Sequence, residues 1–342
     1  PTHELAVQVA EVLQQLAKHT GVKSMYIHGG VDQAPQIAQL EKGTDILVAT
    51  PGRLFDLRSQ GHIDLHRVET LILDEADQML AKGFLTDIRG ILSHLPKRRQ
   101  TLFFSATIDK EIKKLAYTLI QSNAIRIQIA PDNPVARNVF HKVGFIEMDD
   151  KRYFLERLFR EQKGAKILAF VRTKVRAERV KKAMERVDID CLTLHGDKSQ
   201  AQRSEALEAF KTGSIRLLVA TDLSARGVDI PHVEYVVNYD LPEQAENYVH
   251  RIGRTGRGGN KGNAITFCSD QEKELLHEIE YYLGTKVEVL NIDKGEYTDT
   301  LDFTKDTKGM DWKSLIAEDL KKIEQHERSY KKKRGKKTKK HR

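Results

Sequence analysis

The chain has 342 residues, 57 Lys+Arg against 49 Asp+Glu, a formal net charge of +8, and 39% hydrophobic residues. That length fits two domains better than one, and no apolar run reaches the roughly 18 residues of a membrane-spanning helix, so no membrane partner is expected. Two cysteines, Cys191 and Cys268, give neither a metal-binding spacing nor a disulfide framework, so a reducing cytoplasm is the simplest setting.

Leu5, Val9, Val12, Leu13 and Leu16 follow helical spacing up to Gly21. Short apolar runs come next: SMYIH at 24–28, DILVAT at 45–50, TLILD at 70–74 and TLFFSAT at 101–107, with helix-compatible segments between them. Two prolines and little periodicity in APDNPVARNV place an interdomain linker at 131–140, between a first domain at 1–130 and a second at 141–286. The second series has strands KVGFIEM, AKILAFV, CLTLH, RLLVAT, YVVNYD and NAITFCS, with YFLERLFREQ and RAERVKKAMERV the clearest helices. Apolar strands alternating with helices predict α/β domains built on mostly parallel sheets covered on both faces.

Residues 287–342 form an extension of different character. NIDKGEYTDTLDFTKDTKG reads as extended or loosely ordered. Trp312, Leu315, Ile316, Leu320 and Ile323 fit one face of a helix. The last twelve residues carry nine Lys/Arg and no acid; taking these nine from the 57 leaves 48 basic residues against 49 acidic. The body is thus near neutral and the tail holds the positive excess, a pattern for tethering a polyanion or for a solubilising end.

The chemistry is concentrated at strand ends. LILDEAD (71–77) ends an apolar strand in Asp74 and Glu75, and ligands of open parallel sheets bind just beyond the carboxyl ends of the strands. Carboxylates there can hold Mg²⁺ and orient or deprotonate a water, although the string alone is equally a solvated acidic turn. Thr50, Pro51, Gly52 and Arg53 end the preceding strand, and Ser105–Thr107 end the following one. In the second half, ATDLSARGVDI (220–230) follows a strand and YVHRIGRTGR (248–257) comes later. Arg251, Arg254 and Arg257 lie among glycines, either as an exposed basic loop or as guanidinium groups aimed at phosphate oxygens.

These blocks, in this order and spacing, resemble the DEAD-box family of ATP-dependent RNA helicases over residues 1–285, in a compact, short-tailed form similar to bacterial members. The resemblance implies two tandem RecA-like domains, ATP and Mg²⁺ as cofactors, and RNA as the partner of a monomer. It implies that Asp74 holds the metal with Glu75 beside it, and that Arg254 and Arg257 reach the γ-phosphate from the second domain, a contact typically worth ~10³–10⁵ in rate. By the same resemblance His250 bridges towards the first domain, Gly227 and Asp229 lie at the ribose, and Ser105 and Thr107 couple nucleotide state to RNA. Their hydroxyls could equally serve as strand-end caps.

The RNA side implied in the first domain is Thr2, His3, Gly30, Thr50, Pro51, Gly52 and Arg53. In the second it is Arg172, Thr173, Gln200, Arg203, Thr221 and Asp222. Such residues suit phosphate and sugar contacts, which carry no sequence information. The chain departs from the family in one place: PTHELA stands where the family has PTRELA, so His3 predicts a weaker phosphate contact. No G-x-x-x-x-G-K-[ST] loop occurs. In the family that loop lies upstream of the point matching Pro1, so the chain is expected to be a fragment whose first domain is incompletely packed, its second complete, and which by itself does not hydrolyse ATP. A non-enzymatic RNA-binding or annealing module and an interaction scaffold centred on 312–323 are the alternatives.

Overall fold

The computed structural model describes residues 1–302 except 82, 108–109, 120–123, 129–134, 137, 226–229 and 231–232. The basic tail, the helix expected at 312–323, and Gly227 and Asp229 therefore lie outside the described residues. In chain order the first half is α1 (His3–Ala17), β1 (Ser24–Ile27), α2 (Ala34–Leu40), β2 (Ile46–Ala49), α3 (Pro51–Ser59), β3 (Thr70–Leu73), α4 (Ala76–Ala81), α5 (Leu85–Leu92), β4 (Gln100–Phe103) and α6 (Lys110–Leu119). The second is β5 (Val139–Phe145), α7 (Lys151–Glu161), β6 (Ile167–Val171), α8 (Lys174–Glu185), β7 (Cys191–Leu194), α9 (Gln200–Thr212), β8 (Leu217–Thr221), α10 (Asp222–Ala225), β9 (Tyr235–Asn238), α11 (Ala245–Ile252), β10 (Gly262–Cys268), α12 (Lys273–Leu283), β11 (Glu288–Val289) and α13 (Lys294–Asp302).

The second half is one parallel sheet in the order β11-β5-β10-β9-β6-β8-β7. Every residue of β6 and β8 is buried, as their unbroken apolar runs require of strands covered on both faces. One face packs against Phe210, Tyr248, Ile252 and Ile279 from α9, α11 and α12. The other packs against Phe154, Leu155, Val180 and Met184 from α7 and α8. Local chemistry sets the helix ends: Thr173 caps α8 by accepting from Arg176 N, and Ser199 and Gln202 close a capping box on α9.

The first half has two separate two-stranded parallel sheets, β1–β2 and β3–β4. Its cores are small, built around Met25, Ile27 and Leu57 and around Leu73, Ile88 and Leu115, and Ile72 and Phe104 stay exposed. In α1 the apolar spacing overstates the buried face. Ala6 and Ala10 are buried, whereas Val12 and Leu16 face solvent.

Two expectations change. Val139 and Phe140, read as linker, begin β5, because the neighbouring strand β10 pairs them in register. Residues 291–302, read as extended or loosely ordered, supply α13 against α7, just after β11 has paired beside β5. There Tyr297 packs on Phe154 with ring centroids 5.0 Å apart and donates to Asp150 Oδ2 at 2.8 Å. A polar sequence hides this helix because its anchorage is one aromatic ring plus hydrogen bonds, not an apolar stripe.

Candidate functional site

Parallel pairing aligns Leu73 with Phe103, so β3 and β4 end together. Ala76 N then donates to Phe104 O at 3.1 Å, which lays residues 74–77 beside residues 105–107. Asp77 Oδ2 accepts from both Thr107 N (3.2 Å) and Thr107 Oγ1 (3.1 Å), and Ser105 Oγ donates to Thr107 O at 2.7 Å. Asp77 is the link between the two segments; the sequence reading passed over it, although it stands in the same string as Asp74. Asp74 Oδ1 accepts from Glu75 N at 2.9 Å. Glu75 holds a left-handed backbone with φ 48°, a conformation uncommon outside glycine and one that recurs at functional positions. Its Oε2 is buried without a hydrogen-bond partner. Burial raises its pKa above the ordinary carboxylate value, the positive charge of Arg254 opposes that rise, and Asp74 adds to it.

Arg254 thus acts on Glu75 from the other half of the chain. Helix α11 and the loop after it carry the arginines. Arg254 Nε donates to His250 O at 3.3 Å and Arg257 Nε to Gly253 O at 3.1 Å. The loop is pinned from behind: Thr255 Oγ1 donates to Val233 O, and Asn138 Nδ2 donates to both Gly256 O and Asn260 O. Gly262 allows the closest approach, since a Cβ there would fall 2.3 Å from Gly256 N and 2.5 Å from Thr255 Oγ1. Sequence reading named neither Asn138 nor Thr255; Asn138 lies 118 residues from the carbonyl it holds. Arg251 departs from the exposed-loop reading. It is 1% exposed and bonded to Asp222, Asn238 and Asp240.

The residues implied on the RNA side divide into two groups. Arg172 and Thr173 remain exposed at the end of β6, with Arg172 Nη2 3.4 Å from Glu272. Arg53 donates to Val31 O at 2.9 Å and keeps Nη1 buried without a hydrogen-bond partner. Gly30, at φ 77°, lies over the His3 ring, which a Cβ there would approach to 3.2 Å. Pro51 and Gly52 open α3 behind Thr50, whose hydroxyl makes no cap bond. Other side chains are already engaged within the protein. Thr2 caps α1 through Leu5 N. Thr221 is buried and bonded to Ser224, and Asp222 is held by Arg251. Gln200 Oε1 meets His3 Nδ1 at 3.2 Å, and Arg203 donates to Glu4 Oε1 at 2.7 Å. These last two contacts join α9 to α1 across the halves. His3 also stacks on His28 at 4.8 Å, and burial lowers its pKa. Its neighbours in the structure are thus Gln200 and His28.

Among the described residues no three His, Cys, Asp or Glu side chains cluster as a cation cage. An Asp74–Glu75 pair at a strand end suits Mg²⁺, which is held by one or two carboxylates while substrate phosphates and water complete its shell.

Strand-end acids in one α/β half, one of them under the charge of an arginine from the other half, are the arrangement of a two-domain RecA-like helicase. Residues 1–115 match the DEAD/DEAH box helicase family and residues 150–259 the helicase conserved C-terminal domain. The chain belongs to the DEAD-box RNA helicase family, whose members hydrolyse ATP. It is 39% identical over 88% of its length to ATP-dependent RNA helicase RhlB of Shewanella frigidimarina, covering 70% of that protein. It is 42% identical to DEAD-box ATP-dependent RNA helicase 5 of Arabidopsis thaliana, of which it spans about half, 53%. The structure of S. cerevisiae Dbp5 bound to RNA and ADP BeF3 superposes with a TM-score of 0.75 at 29% identity, over 88% of this chain and 78% of that one.

Proposed function

We propose that this chain supplies the ATP- and RNA-facing surfaces of an RNA-stimulated ATPase that opens short RNA duplexes. The observation that carries the reading is Glu75 at the strand end, half-buried in a left-handed backbone with its Oε2 enclosed and without a hydrogen-bond partner, where burial raises its pKa and the charge of Arg254 from the other half opposes that rise. A carboxylate so poised can take a proton from an attacking water, and the guanidinium groups of Arg254 and Arg257 can neutralise charge developing on a phosphoryl group. Asp74 would hold Mg²⁺, which when bound with ATP supplies Lewis-acid stabilisation of the phosphates. Asp77, bonded to Thr107, ties the acid segment to the segment after β4, so movement at one reaches the other.

His3–Gln200 and Glu4–Arg203 join α1 to α9, and closure through them would set Thr50–Arg53 and Arg172–Thr173 along one RNA path. A single strand gripped by both halves must follow their combined surface. A duplex partner strand loses its pairing there when that path is bent, and hydrolysis would release the grip.

No G-x-x-x-x-G-K-[ST] sequence occurs in these 342 residues, so the test supplies one. A family Walker A segment is fused ahead of Pro1 and ATP hydrolysis is measured with and without single-stranded RNA. RNA-stimulated hydrolysis that Glu75→Gln abolishes supports the proposal. RNA binding with no hydrolysis in the fused protein defeats it in favour of a non-enzymatic RNA-binding or annealing module.

A further inference from the structure

Outside the site already described, a pocket is lined by three arginines. Arg152 comes from the first turn of α7, Arg176 and Arg179 from the first two turns of α8, and Met148, Asp149, Val180, Ala183 and Tyr239 complete the wall. It sits at the carboxyl edge of the second sheet, after β5 and beside the end of β6. Arg152 lies over the Tyr153 ring at 4.3 Å and donates to the Tyr153 hydroxyl. Arg176 lies 5.3 Å over the Tyr239 ring, with Nη2 2.8 Å from Met148 Sδ and Nε 3.4 Å from Asp240 Oδ1. Arg179 has no hydrogen bond or ion pair among the described residues.

Charge makes the pocket an anion site. Three guanidinium groups line the pocket beside one exposed carboxylate, Asp149, while the buried Asp240 lies 3.4 Å from Arg176 and 4.0 Å from Lys151. Rings and a thioether under two of the guanidiniums hold their planes and reduce the rotamer freedom that binding would otherwise remove. Position argues for the kind of anion. Arg172 and Thr173, which the proposed function sets against RNA, immediately precede α8, and Arg176 and Arg179 follow one and two helical turns on, a path of about 5.4 Å per turn.

We infer that Arg152, Arg176 and Arg179 form a second phosphate-binding track for RNA: the strand leaving Arg172–Thr173 continues along the first two turns of α8 with its phosphodiester oxygens on these guanidiniums. The contact reads backbone and not bases, since arginine forks on phosphate carry no sequence information. This rests on the RNA reading and extends it to nucleotides beyond those held between the two halves.

The test is fluorescence anisotropy of the full chain with labelled oligouridylates of about 6 and about 20 nucleotides across a salt series. The proteins are wild type, Arg179→Ala, Arg179→Glu and the Arg152→Ala/Arg179→Ala double variant. The double variant is expected to bind the long RNA about 5- to 10-fold more weakly, with a log–log salt slope shallower by about 1.4, or about 0.7 for each lost phosphate contact. The short RNA keeps its affinity, and Arg179→Glu exceeds Arg179→Ala on the long RNA only. Equal losses on both lengths, or no loss on either, overturn the track. So does a glutamate-rich peptide that binds wild type and is lost in the double variant while RNA binding stays unchanged, which assigns the pocket to an acidic protein partner. A wild-type chain that binds neither RNA removes the RNA reading itself, whereas normal wild-type binding with unaffected variants removes the track alone.

Discussion

Arg251 closes on Asp222 through two parallel hydrogen bonds, Nε to Oδ1 at 2.6 Å and Nη2 to Oδ2 at 2.8 Å, while Nη1 donates to Asp240 O at 2.6 Å. Its guanidinium lies 5.2 Å over the Phe170 ring. The pair ties the start of α10, next to Thr221, to helix α11, which leads into the loop that carries Arg254. A buried arginine with its fork filled is a structural strut, so the three arginines of one short motif have different jobs.

Truncation of that strut leaves the Asp222 carboxylate, the Asn238 side-chain oxygen and the Asp240 backbone carbonyl without their donor. Arg251→Ala is expected to destabilise the second domain by about 3–5 kcal/mol in chemical denaturation, as for the loss of one partner of a buried pair. Arg251→Lys keeps the charge without the fork and should lose a large part of the same stability. A variant as stable as wild type would show that the pair is dispensable.

The bridge between α1 and α9 should govern how often the halves meet. Glu4 and Arg203 are mostly buried at 2.7 Å, and a hydrogen bond to a charged group contributes about 1.5–3 kcal/mol. Arg203→Ala is expected to widen the separation between fluorophores placed one on each half, with the melting of each domain unchanged. An unaltered separation would mean that other contacts set closure.

His3 gives that bridge a pH dependence. Burial puts its folded pKa below 6.5, with His28 and Arg203 lowering it further and the Gln200 hydrogen bond and Glu4 opposing. Folding then favours the neutral imidazole, so the stabilisation is complete above the unfolded pKa of about 6.5 and declines as pH falls towards the folded value. Wild type should open on acidification below about pH 6.5, and His3→Gln, which keeps a hydrogen-bonding side chain without the titration, should not. The same opening in both proteins would assign it to another group. His3→Arg restores a permanent charge beside Gly30 and should tighten RNA binding at low salt, an effect that disappears as salt is raised.

Residues 288–302 should behave as part of the second domain. Tyr297 accepts from Glu147 N at 3.1 Å and donates to Asp150, and its pKa is pushed up to about 12, so it keeps its proton at neutral pH. Tyr297→Phe is expected to cost about 1 kcal/mol for the lost hydrogen bonds. Tyr297→Ala should cost about 3 kcal/mol, since it also empties the contact with Phe154. Thermal denaturation of the full chain reads both, and a Tyr297→Ala chain that melts like wild type would detach α13 from the domain.

Deletion of residues 331–342 removes nine Lys/Arg from a body of nearly balanced charge. The expected result is a shallower dependence of log RNA affinity on log salt concentration, because fewer counterions are released on binding. An unchanged slope would leave the tail a solubilising end.

Much of the architecture was legible in the chain itself. Strands such as AKILAFV and RLLVAT, buried on both faces, cannot be written without unbroken apolar runs, and glycine-flanked arginines and strand-end acids occupy the few places where an open parallel sheet presents ligands. Those are local properties: period, punctuation and residue type within about ten positions fix them. Helix α13 escaped notice because one tyrosine anchors it, and a lone aromatic in a polar segment leaves no period to read.

Distance along the chain hid the rest. Arg251 and Arg254 have the same side chain three residues apart, yet Arg251, on α11, is enclosed by Asp222 and Asp240 while Arg254, in the loop after it, acts on Glu75, because only packing decides where α11 ends and which of its faces meets the sheet. Gln200 and Arg203 bond to His3 and Glu4, almost two hundred positions away, a pairing that no local pattern could announce. The sequence alone settled which groups could carry charge and hydrogen bonds at the strand ends. The tertiary structure settled which of those groups were already satisfied by one another, since pairing and burial depend on the distances that folding sets.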